Sequence, residues 1–380
     1  MNRYAQLCPI IYGNGSIQMV GEEVKRLGCK KVMLVSDETI SKLDAYTNCK
    51  KSLIDNGIEV VPFNGIIPDP PDYIINQGGE IAKAEQIDGI VALGGGSVID
   101  AAKGINVLVN NPLPVNQYLG NPVYNPGVPV VVIPTTAGTG SENTIMGVIT
   151  DTVNNIKSAV LCPATLGVLD PEVTIDVPPS VTAYTGMDAF AHAAEAITTK
   201  FPNPKSDVLA LEAIKKVTSY LPIAVADGKN IKAREELMLA SNFAGMAFND
   251  ALVHLGHAIA HTVGAAFHQA HGTICALALP EVMKYSASVR ADKVKLIGTA
   301  MGVDFTGNES FEEIGEMVAN TIRTFIKGIG IPSVKELGIA RDEFTNLASK
   351  VMDDVCYLYV PRELSQEEVA DILEAIYENY

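Results

Sequence analysis

Hydrophobic residues in the first half of the chain alternate between short continuous runs and stretches with helical spacing. Apolar runs bounded by turn residues predict strands at residues 31–36, 58–62, 89–93 and 128–133, the second of them closed by proline. Stretches with helical spacing lie between them, up to about residue 56 and at residues 74–86 and 97–109. Because strands that alternate with helices form parallel sheets covered on both faces, the pattern predicts an α/β domain with a parallel sheet.

The second half of the chain has a different pattern. Three prolines mark a connector at residues 170–180 (DPEVTIDVPPS), and only amphipathic helices are predicted beyond it. A chain of 380 residues is long enough for two cores. The sequence therefore predicts an α/β domain over residues 1–180 and an all-helical domain over residues 181–380.

Composition narrows the range of partners. The chain has 28 Lys and Arg against 44 Asp and Glu, a formal net charge of -16. An acidic chain is poorly suited to nucleic acid or anionic membrane, so a small-molecule partner is expected. The N-terminus lacks a long apolar core, and the six cysteines are scattered without a Cys-x-x-Cys pair. Both features favour the cytoplasm.

Five of the six histidines lie within residues 253–272, VHLGHAIAHTVGAAFHQAHG, and the sixth is His192. Residues four apart share one face of a helix, so Asp188 and His192 can point at the same place, as can His257 and His261. A third imidazole can come from His271, which we expect in a loop after a turn-like stretch. One carboxylate and two or three imidazoles suit Fe²⁺, Zn²⁺, Mn²⁺ or Ni²⁺.

Two alternatives apply to this cluster. A single histidine on an apolar helix is usually a hydrogen-bonded core residue, but five within twenty positions favour a metal site. A catalytic metal needs about four protein ligands at most and keeps a position open for substrate. His254 and His268 are the two histidines that such a site needs least.

Glycine-rich loops follow two of the predicted strands. Gly94, Gly95, Gly96 and Ser97 open a helix, and residues 134–142 (PTTAGTGSE) follow the strand VPVVVI. Backbone amides in such loops and at helix N-termini favour a phosphate, although glycine after a strand also simply makes a tight turn. The usual Rossmann fingerprint is absent, and Asn14-Gly15 is better explained as a hairpin turn. Asp37, at the end of a strand, either binds a ribose 2′-hydroxyl, which favours NAD over NADP, or caps a helix.

Four segments together resemble the iron-dependent (group III) alcohol dehydrogenase family, which includes lactaldehyde reductase, 1,3-propanediol dehydrogenase and butanol dehydrogenase. They are GGGSVIDAAK (94–103), IPTTAGTGSE (133–142), GMDAFAHAAEA (186–196) and HAIAHTVGAAFHQAHG (257–272). The resemblance covers essentially the whole chain. It implies a Rossmann-like, dehydroquinate synthase-like domain that binds the dinucleotide, followed by a helical domain that binds the metal and carries catalysis.

The resemblance also implies site residues. The metal ligands would be Asp188, His192, His257 and His271, with His261 as a proton-relay or substrate-orienting residue. The dinucleotide site would be lined by Asp37, Gly95, Gly96, Ser97, Thr135, Thr136, Thr144 and Lys157, with Val173 at the nicotinamide end. Asp69 stands where many relatives have Asn, which puts one cofactor contact in doubt. His254 and His268, at variable positions, suggest a locally tuned substrate pocket.

The implied activity is reversible hydride transfer between NAD(H) and a short primary alcohol or aldehyde, with Fe²⁺, or alternatively Zn²⁺, as Lewis acid. The family also implies a homodimer or larger homo-oligomer. A zinc-dependent, glycerol-dehydrogenase-like enzyme is the nearest alternative. A dehydroquinate synthase-like lyase would need a basic pocket, and no Lys/Arg cluster lies near the histidines in sequence. A metal-dependent binding protein is a further, non-enzymatic alternative.

Overall fold

The computed structural model describes Tyr4, residues 6–154 and residues 156–380. These residues form two compact units, residues 6–176 and residues 177–380 together with Tyr4. Residues 1–3 and 5, part of the N-terminal segment that lacks a long apolar core, lie outside the described residues. Among the described residues, no helix combines the length and the apolar character needed to cross a bilayer.

The unit of residues 6–176 is built around a parallel sheet. Its strands are β1 (Ile10–Tyr12), β2 (Lys31–Asp37), β3 (Glu59–Ile66), β4 (Gly89–Gly94), β5 (Val130–Pro134), β6 (Met146–Asp151), β7 (Ile156–Leu161) and β8 (Leu166–Leu169). Its α-helices are α1 (Val20–Arg26), α2 (Asp44–Asp55), α3 (Asp72–Ala84) and α4 (Gly96–Val109). Six strands form the sheet in the order β1-β8-β5-β4-β2-β3, all parallel, while β6 and β7 form a separate antiparallel pair.

The sheet places the glycine-rich loops side by side. Strands β5, β4 and β2 are neighbours and parallel, so their carboxyl ends lie at one edge of the sheet. All residues of β4 and β5 are buried, which explains why these strands have continuous apolar sequences rather than alternating ones. The predicted α/β fold class is confirmed.

Two local predictions are wrong. Asn14-Gly15 does not close a hairpin, because β1 pairs in parallel with β8 and the turn leads into a 3₁₀ helix at Ser16–Met19. The N–H of Gly15 and that of Ile17 donate to Asp170 instead. Pro62 does not end its strand either, since β3 continues to Ile66. A proline is tolerated there because β3 is an edge strand, where one missing N–H leaves no ladder partner unpaired.

The unit of residues 177–380 is helical, as the sequence predicts. Its α-helices are α5 (Pro179–Thr198), α6 (Pro204–Ala226), α7 (Ile231–Ala251), α8 (Leu255–Phe267), α9 (His271–Ala300), α10 (Phe311–Gly328), α11 (Arg341–Thr345), α12 (Ala348–Met352) and α13 (Gln366–Glu378). Helix α5 contacts α6, α7, α8 and α9. It is rich in alanine and almost wholly buried over residues 186–198, so neighbouring helices approach it closely.

Candidate metal centre and dinucleotide site

Three of the predicted metal ligands converge in the helical unit. Asp188 lies on α5, His257 in the first turn of α8 and His271 at the start of α9. The Asp188 Oδ1 atom is 3.5 Å from His271 Nε2 and 4.0 Å from His257 Nε2. In a tetrahedral site with bonds of about 2.1 Å, ligand atoms are roughly 3.4 Å apart. The three donors therefore need to move only slightly to share one ion.

The chemistry of these atoms fits a cation. Asp188 Oδ1 and His257 Nε2 are buried and have no hydrogen-bond partner among the described residues. Leaving a carboxylate oxygen and a ring nitrogen unsatisfied in the interior is costly. A divalent ion bound by both atoms would satisfy both, so the donor set fits iron.

Burial also sets the charge on these groups in the metal-free protein. Burial raises the pKa of the Asp188 carboxyl to about 7. Burial, with a smaller contribution from nearby His261, lowers the pKa of His257 to about 3. His257 is therefore neutral at pH 7, which is the form whose ring nitrogen can bind a metal.

The structure corrects the expected setting of His271. This residue does not lie in a loop but is the first residue of α9, with Ala270 as the N-cap. The helix brings a further residue to the centre one turn later, because Cys275 Sγ is 3.5 Å from His271 Nε2. Asp188, His257, His271 and Cys275 each offer a ligand atom within 4.8 Å of the others. The i, i+4 spacing of His271 and Cys275 is the signal that could have identified the cysteine.

His192 lies beside this group. Its Nδ1 is 3.8 Å from Asp188 Oδ1, its ring is stacked on Phe248 with centroids 4.1 Å apart, and the tilted ring of His257 lies 4.5 Å away. Helical spacing correctly brings His192 next to Asp188. The structure thus offers two side chains, His192 and Cys275, next to the same three donors.

His261 also lies next to the cluster. Its ring is stacked on His271 with centroids 5.2 Å apart, and its Nδ1 is 3.0 Å from Asp354 Oδ2. Cys356 Sγ lies 3.9 Å from the same nitrogen. Although burial opposes it, the hydrogen bond with His261 holds the pKa of Asp354 below its ordinary value. Asp354 therefore acts as a carboxylate acceptor that orients the His261 ring.

The remaining two histidines have different environments. His254 is fully buried, and its Nε2 is 2.9 Å from Thr198 Oγ1. This contact is typical of a core histidine, so the structure does not support a place for His254 in a substrate pocket. His268 is exposed and ends α8 in the left-handed conformation with φ 54°.

In the other unit, the predicted dinucleotide residues gather at the carboxyl ends of adjacent strands. Asp37 ends β2, Gly95 and Gly96 follow β4, and Thr135 and Thr136 follow β5. In open α/β sheets this edge is where ligands bind. A Cβ on Gly96 would lie 2.7 Å from Thr139 Cγ2, so the two loops pack too closely for any residue but glycine.

Ser97 and Lys157 are linked through Asp69. Ser97 Oγ accepts the Asp69 N–H at 3.3 Å, and Lys157 Nζ is 2.7 Å from Asp69 Oδ1. Asp69 has φ 52°, a conformation that asparagine and aspartate adopt more readily than other residues with a Cβ. The aspartate at this position therefore ties two predicted cofactor residues together.

Asp37 and Val173 have structural roles in this unit. Asp37 Oδ1 accepts the N–H of Ile40 at 2.8 Å and so closes the turn before the 3₁₀ helix at Ile40–Lys42, whose N-cap is Thr39. Val173 is buried within a 3₁₀ helix at Pro171–Thr174.

Thr144 contacts Lys103, a buried residue that was not selected from the sequence. Lys103 Nζ donates to the carbonyl oxygens of Ser141, Thr144 and Met146 at 2.7–2.9 Å. It thereby fixes the loop that precedes β6.

Comparison with known proteins agrees with this arrangement. Residues 9–171 match the family described as iron-containing alcohol dehydrogenase, and residues 182–377 match the C-terminal part of the Fe-containing alcohol dehydrogenase family. The NAD-dependent methanol dehydrogenase of Bacillus methanolicus is 34% identical over 96% of this chain and 97% of that protein. A 1,3-propanediol oxidoreductase crystal structure superposes with a TM-score of 0.95 at 35% identity, covering 99% of this chain and all of that one (100%).

A third relative has been solved with the cofactor. The sulfoacetaldehyde reductase of Bifidobacterium kashiwanohense in complex with NAD⁺ superposes with a TM-score of 0.87 at 26% identity, with 100% of both chains covered. The chain belongs to the iron-containing (group III) alcohol dehydrogenase family. It is an NAD-dependent, metal-containing alcohol dehydrogenase and aldehyde reductase, with NAD and Fe²⁺ as cofactors and a small molecule as substrate.

Proposed function

We propose that Asp188, His192, His257 and His271 hold the ferrous ion in a helical domain of residues 181–380. The observation that carries the proposal is the pair of buried, unsatisfied atoms Asp188 Oδ1 and His257 Nε2, with His271 Nε2 beside them. His192 is preferred to Cys275 as the fourth ligand because burial, and then the negative charge of Asp188, raises the pKa of the Cys275 thiol well above its ordinary value. A neutral imidazole binds without losing a proton, whereas a thiol must lose one.

The α/β domain, residues 1–180, is proposed to bind NAD(H) at the edge formed by β5, β4 and β2. The backbone of Gly95, Gly96 and Ser97 opens α4, whose N-terminus suits the pyrophosphate. Thr135 and Thr136 offer hydroxyl groups beside it, and Lys157 offers a positive charge. Thr144, which contacts Lys103, is proposed to line the same site, and the buried Val173 to lie at its nicotinamide end.

When bound, the two cofactors supply the chemistry, since nicotinamide exchanges hydride and the ion polarises the substrate C–O bond. His261 is proposed to hold and pass the proton that the substrate oxygen gains or loses. Its Nδ1 is engaged by Asp354 at 3.0 Å, so Nε2 is the atom that exchanges the proton. The partly exposed ring, at 27% of its side chain, keeps a route for that proton to water.

The proposed substrates are short primary alcohols and aldehydes. The relatives support this class by name, since they act on methanol, 1,3-propanediol and sulfoacetaldehyde. A cytoplasmic location is supported by six free, buried cysteines, all among the described residues. We further propose a homodimer or larger homo-oligomer, on the basis of family membership alone.

An NADH-coupled screen of short aldehydes tests this function. Protein freed of metal by chelation is reloaded with Fe²⁺ or Zn²⁺, and NADH oxidation is followed at fixed metal occupancy. We expect turnover with the Fe²⁺ form and none with the metal-free form. Turnover confined to Zn²⁺-loaded protein and polyol substrates would favour the glycerol-dehydrogenase-like alternative. No oxidation across the panel at full loading would contradict the proposal.

Cofactor preference provides a second prediction. We expect Asp37→Ser to raise kcat/KM with NADPH relative to NADH by at least about tenfold, because it removes the charge that would repel a 2′-phosphate. Serine can still cap the Ile40 N–H, which Asp37 Oδ1 now accepts, so the fold is retained. Steady-state kinetics with both cofactors measure the ratio. An unchanged ratio would limit Asp37 to accepting the Ile40 N–H.

A further inference from the structure

Glu195 is a fully buried acidic residue of the helical unit. It lies on α5, one turn after His192 and two turns after Asp188, on the same face of the helix, where it contacts α8. Its Oε1 is 3.0 Å from His257 Nδ1, and its Oε2 accepts the backbone N–H of His254. Both oxygens are therefore committed to the first turn of α8.

These contacts indicate which nitrogen of His257 carries a proton. When Glu195 is ionised its oxygens can only accept, so Nδ1 donates and carries the hydrogen. Nε2 then holds the lone pair, and it is the atom that lies unpartnered 4.0 Å from Asp188 Oδ1. A histidine that binds a metal through one nitrogen commonly donates the other N–H to a carboxylate in this way.

Glycine at position 256 leaves room for the contact between Glu195 and His257. A Cβ on Gly256 would collide with Glu195 Oε1 and lie 3.1 Å from Glu195 Cδ. Any other residue at position 256 would push the carboxylate away from α8. The contact between Glu195 and α8 therefore explains why residue 256 is glycine. The metal ligands alone do not explain it.

We propose that Glu195 is a positioning residue for the metal, which fixes the tautomer and orientation of His257 so that Nε2 faces the ion. This inference rests on the proposed metal site. Glu195 does not touch the ion but acts through His257. Its loss should weaken metal binding rather than only destabilise the fold.

The test compares Glu195→Gln with Glu281→Gln. The first variant keeps the shape, but its amide NH2 replaces one of the two oxygens, so either the His254 N–H or the His257 Nδ1–H faces a donor instead of an acceptor. Glu281 is a matched control, since it is a buried glutamate of the same unit that pairs with Arg323 and Asn379. Metal-free protein is titrated with Zn²⁺ against a chelator of known affinity, and Tm is measured with and without metal. We expect Glu195→Gln to weaken Zn²⁺ binding by about 10- to 100-fold, and Glu281→Gln to lower Tm with affinity unchanged.

Two outcomes distinguish failure of the Glu195 positioning role from failure of the proposed metal site. Zn²⁺ affinity of Glu195→Gln within threefold of the unaltered chain would overturn the positioning role, whatever its Tm. No Zn²⁺ binding by the unaltered chain would overturn the metal site itself and this role with it.

If Glu195→Gln does not fold, ¹⁵N spectra of histidine-labelled, metal-free protein provide the test in the unaltered chain. The His257 signals are assigned by their loss in His257→Gln. A proton on Nδ1 supports the role, and a proton on Nε2 overturns it.

Discussion

Replacing His271 with alanine is expected to remove both bound iron and turnover, and to lower kcat/KM by about a thousandfold or more. Losing one ligand forfeits several kcal/mol of transition-state stabilisation, and about 4 kcal/mol corresponds to a thousandfold in rate. His271 is the clean position for this test because its side chain is 34% exposed and its removal leaves no large cavity. His257→Ala should have the same effect on metal and rate, with an added loss of stability because it leaves Glu195 Oε1 without its ring partner.

The measurement is metal content by elemental analysis together with NADH-coupled rates at saturating aldehyde. His268→Asn is the control, because His268 is exposed and left-handed at the end of the same segment, where asparagine is tolerated. It should retain metal and rate. Normal iron content with a near-normal rate in His271→Ala would refute its assignment as a ligand.

The same assay distinguishes the two residues that flank the three converging donors. If His192 completes the set, His192→Ala loses iron and Cys275→Ser keeps it. The opposite result would assign the fourth position to Cys275, whose Sγ is 3.5 Å from His271 Nε2. A thiolate ligand favours zinc over iron, so this outcome would also change the expected metal.

Local spacing explains how much of this centre could be predicted from the sequence. Asp188 and His192 are one helical turn apart, and the structure places them on one face of α5. The glycine-rich loops lie where their preceding strands end, at one edge of a parallel sheet. The side-chain periods of helices (3.6 residues) and strands (2.0 residues) depend only on nearby residues, as do turns at glycine. Such features can therefore be predicted from the sequence. The start of α9 at His271 was not predicted because Ala270, its N-cap, has only a methyl group, which cannot accept a hydrogen bond from the helix N-terminus.

Contacts between distant segments account for what could not be predicted. Glu195 meets His257 across 62 positions, and Asp354 meets His261 across 93. Helical spacing puts Glu195 on the same face of α5 as Asp188 and His192, but nothing local indicates His257 as its partner, and Asp354 has no spacing that distinguishes it from the other acidic residues of the chain. The three-residue strand β1 is similar, since Ile10 pairs with Gly167 of β8, 157 residues away, whereas the turn at Asn14-Gly15 suggested a nearer partner. Such pairings are set by packing of the whole unit rather than by local preference.

Gly272→Ala is expected to weaken metal binding although residue 272 carries no donor atom. A Cβ there would collide with the carbonyl oxygen of Tyr184 and lie 3.2 Å from Asp188 Cβ. A backbone oxygen within α5 cannot move alone, so α9 must shift away from α5. That shift lengthens the 3.5 Å distance between His271 Nε2 and Asp188 Oδ1. Overpacking of this kind costs about 1–3 kcal/mol of unfolding free energy, and metal affinity should fall at least about tenfold.

Gly264→Ala is the matched control for this substitution. Residue 264 also lies in a helix of the same unit, α8, but a Cβ there would be 3.5 Å from the Gln269 carbonyl oxygen, an ordinary contact. Alanine should stabilise that helix by about 0.5–1 kcal/mol and leave Zn²⁺ affinity unchanged. Urea denaturation of the metal-free proteins and Zn²⁺ competition measure the two effects. If Gly272→Ala binds Zn²⁺ as tightly as Gly264→Ala does, close approach of α9 to α5 is not what brings His271 to Asp188.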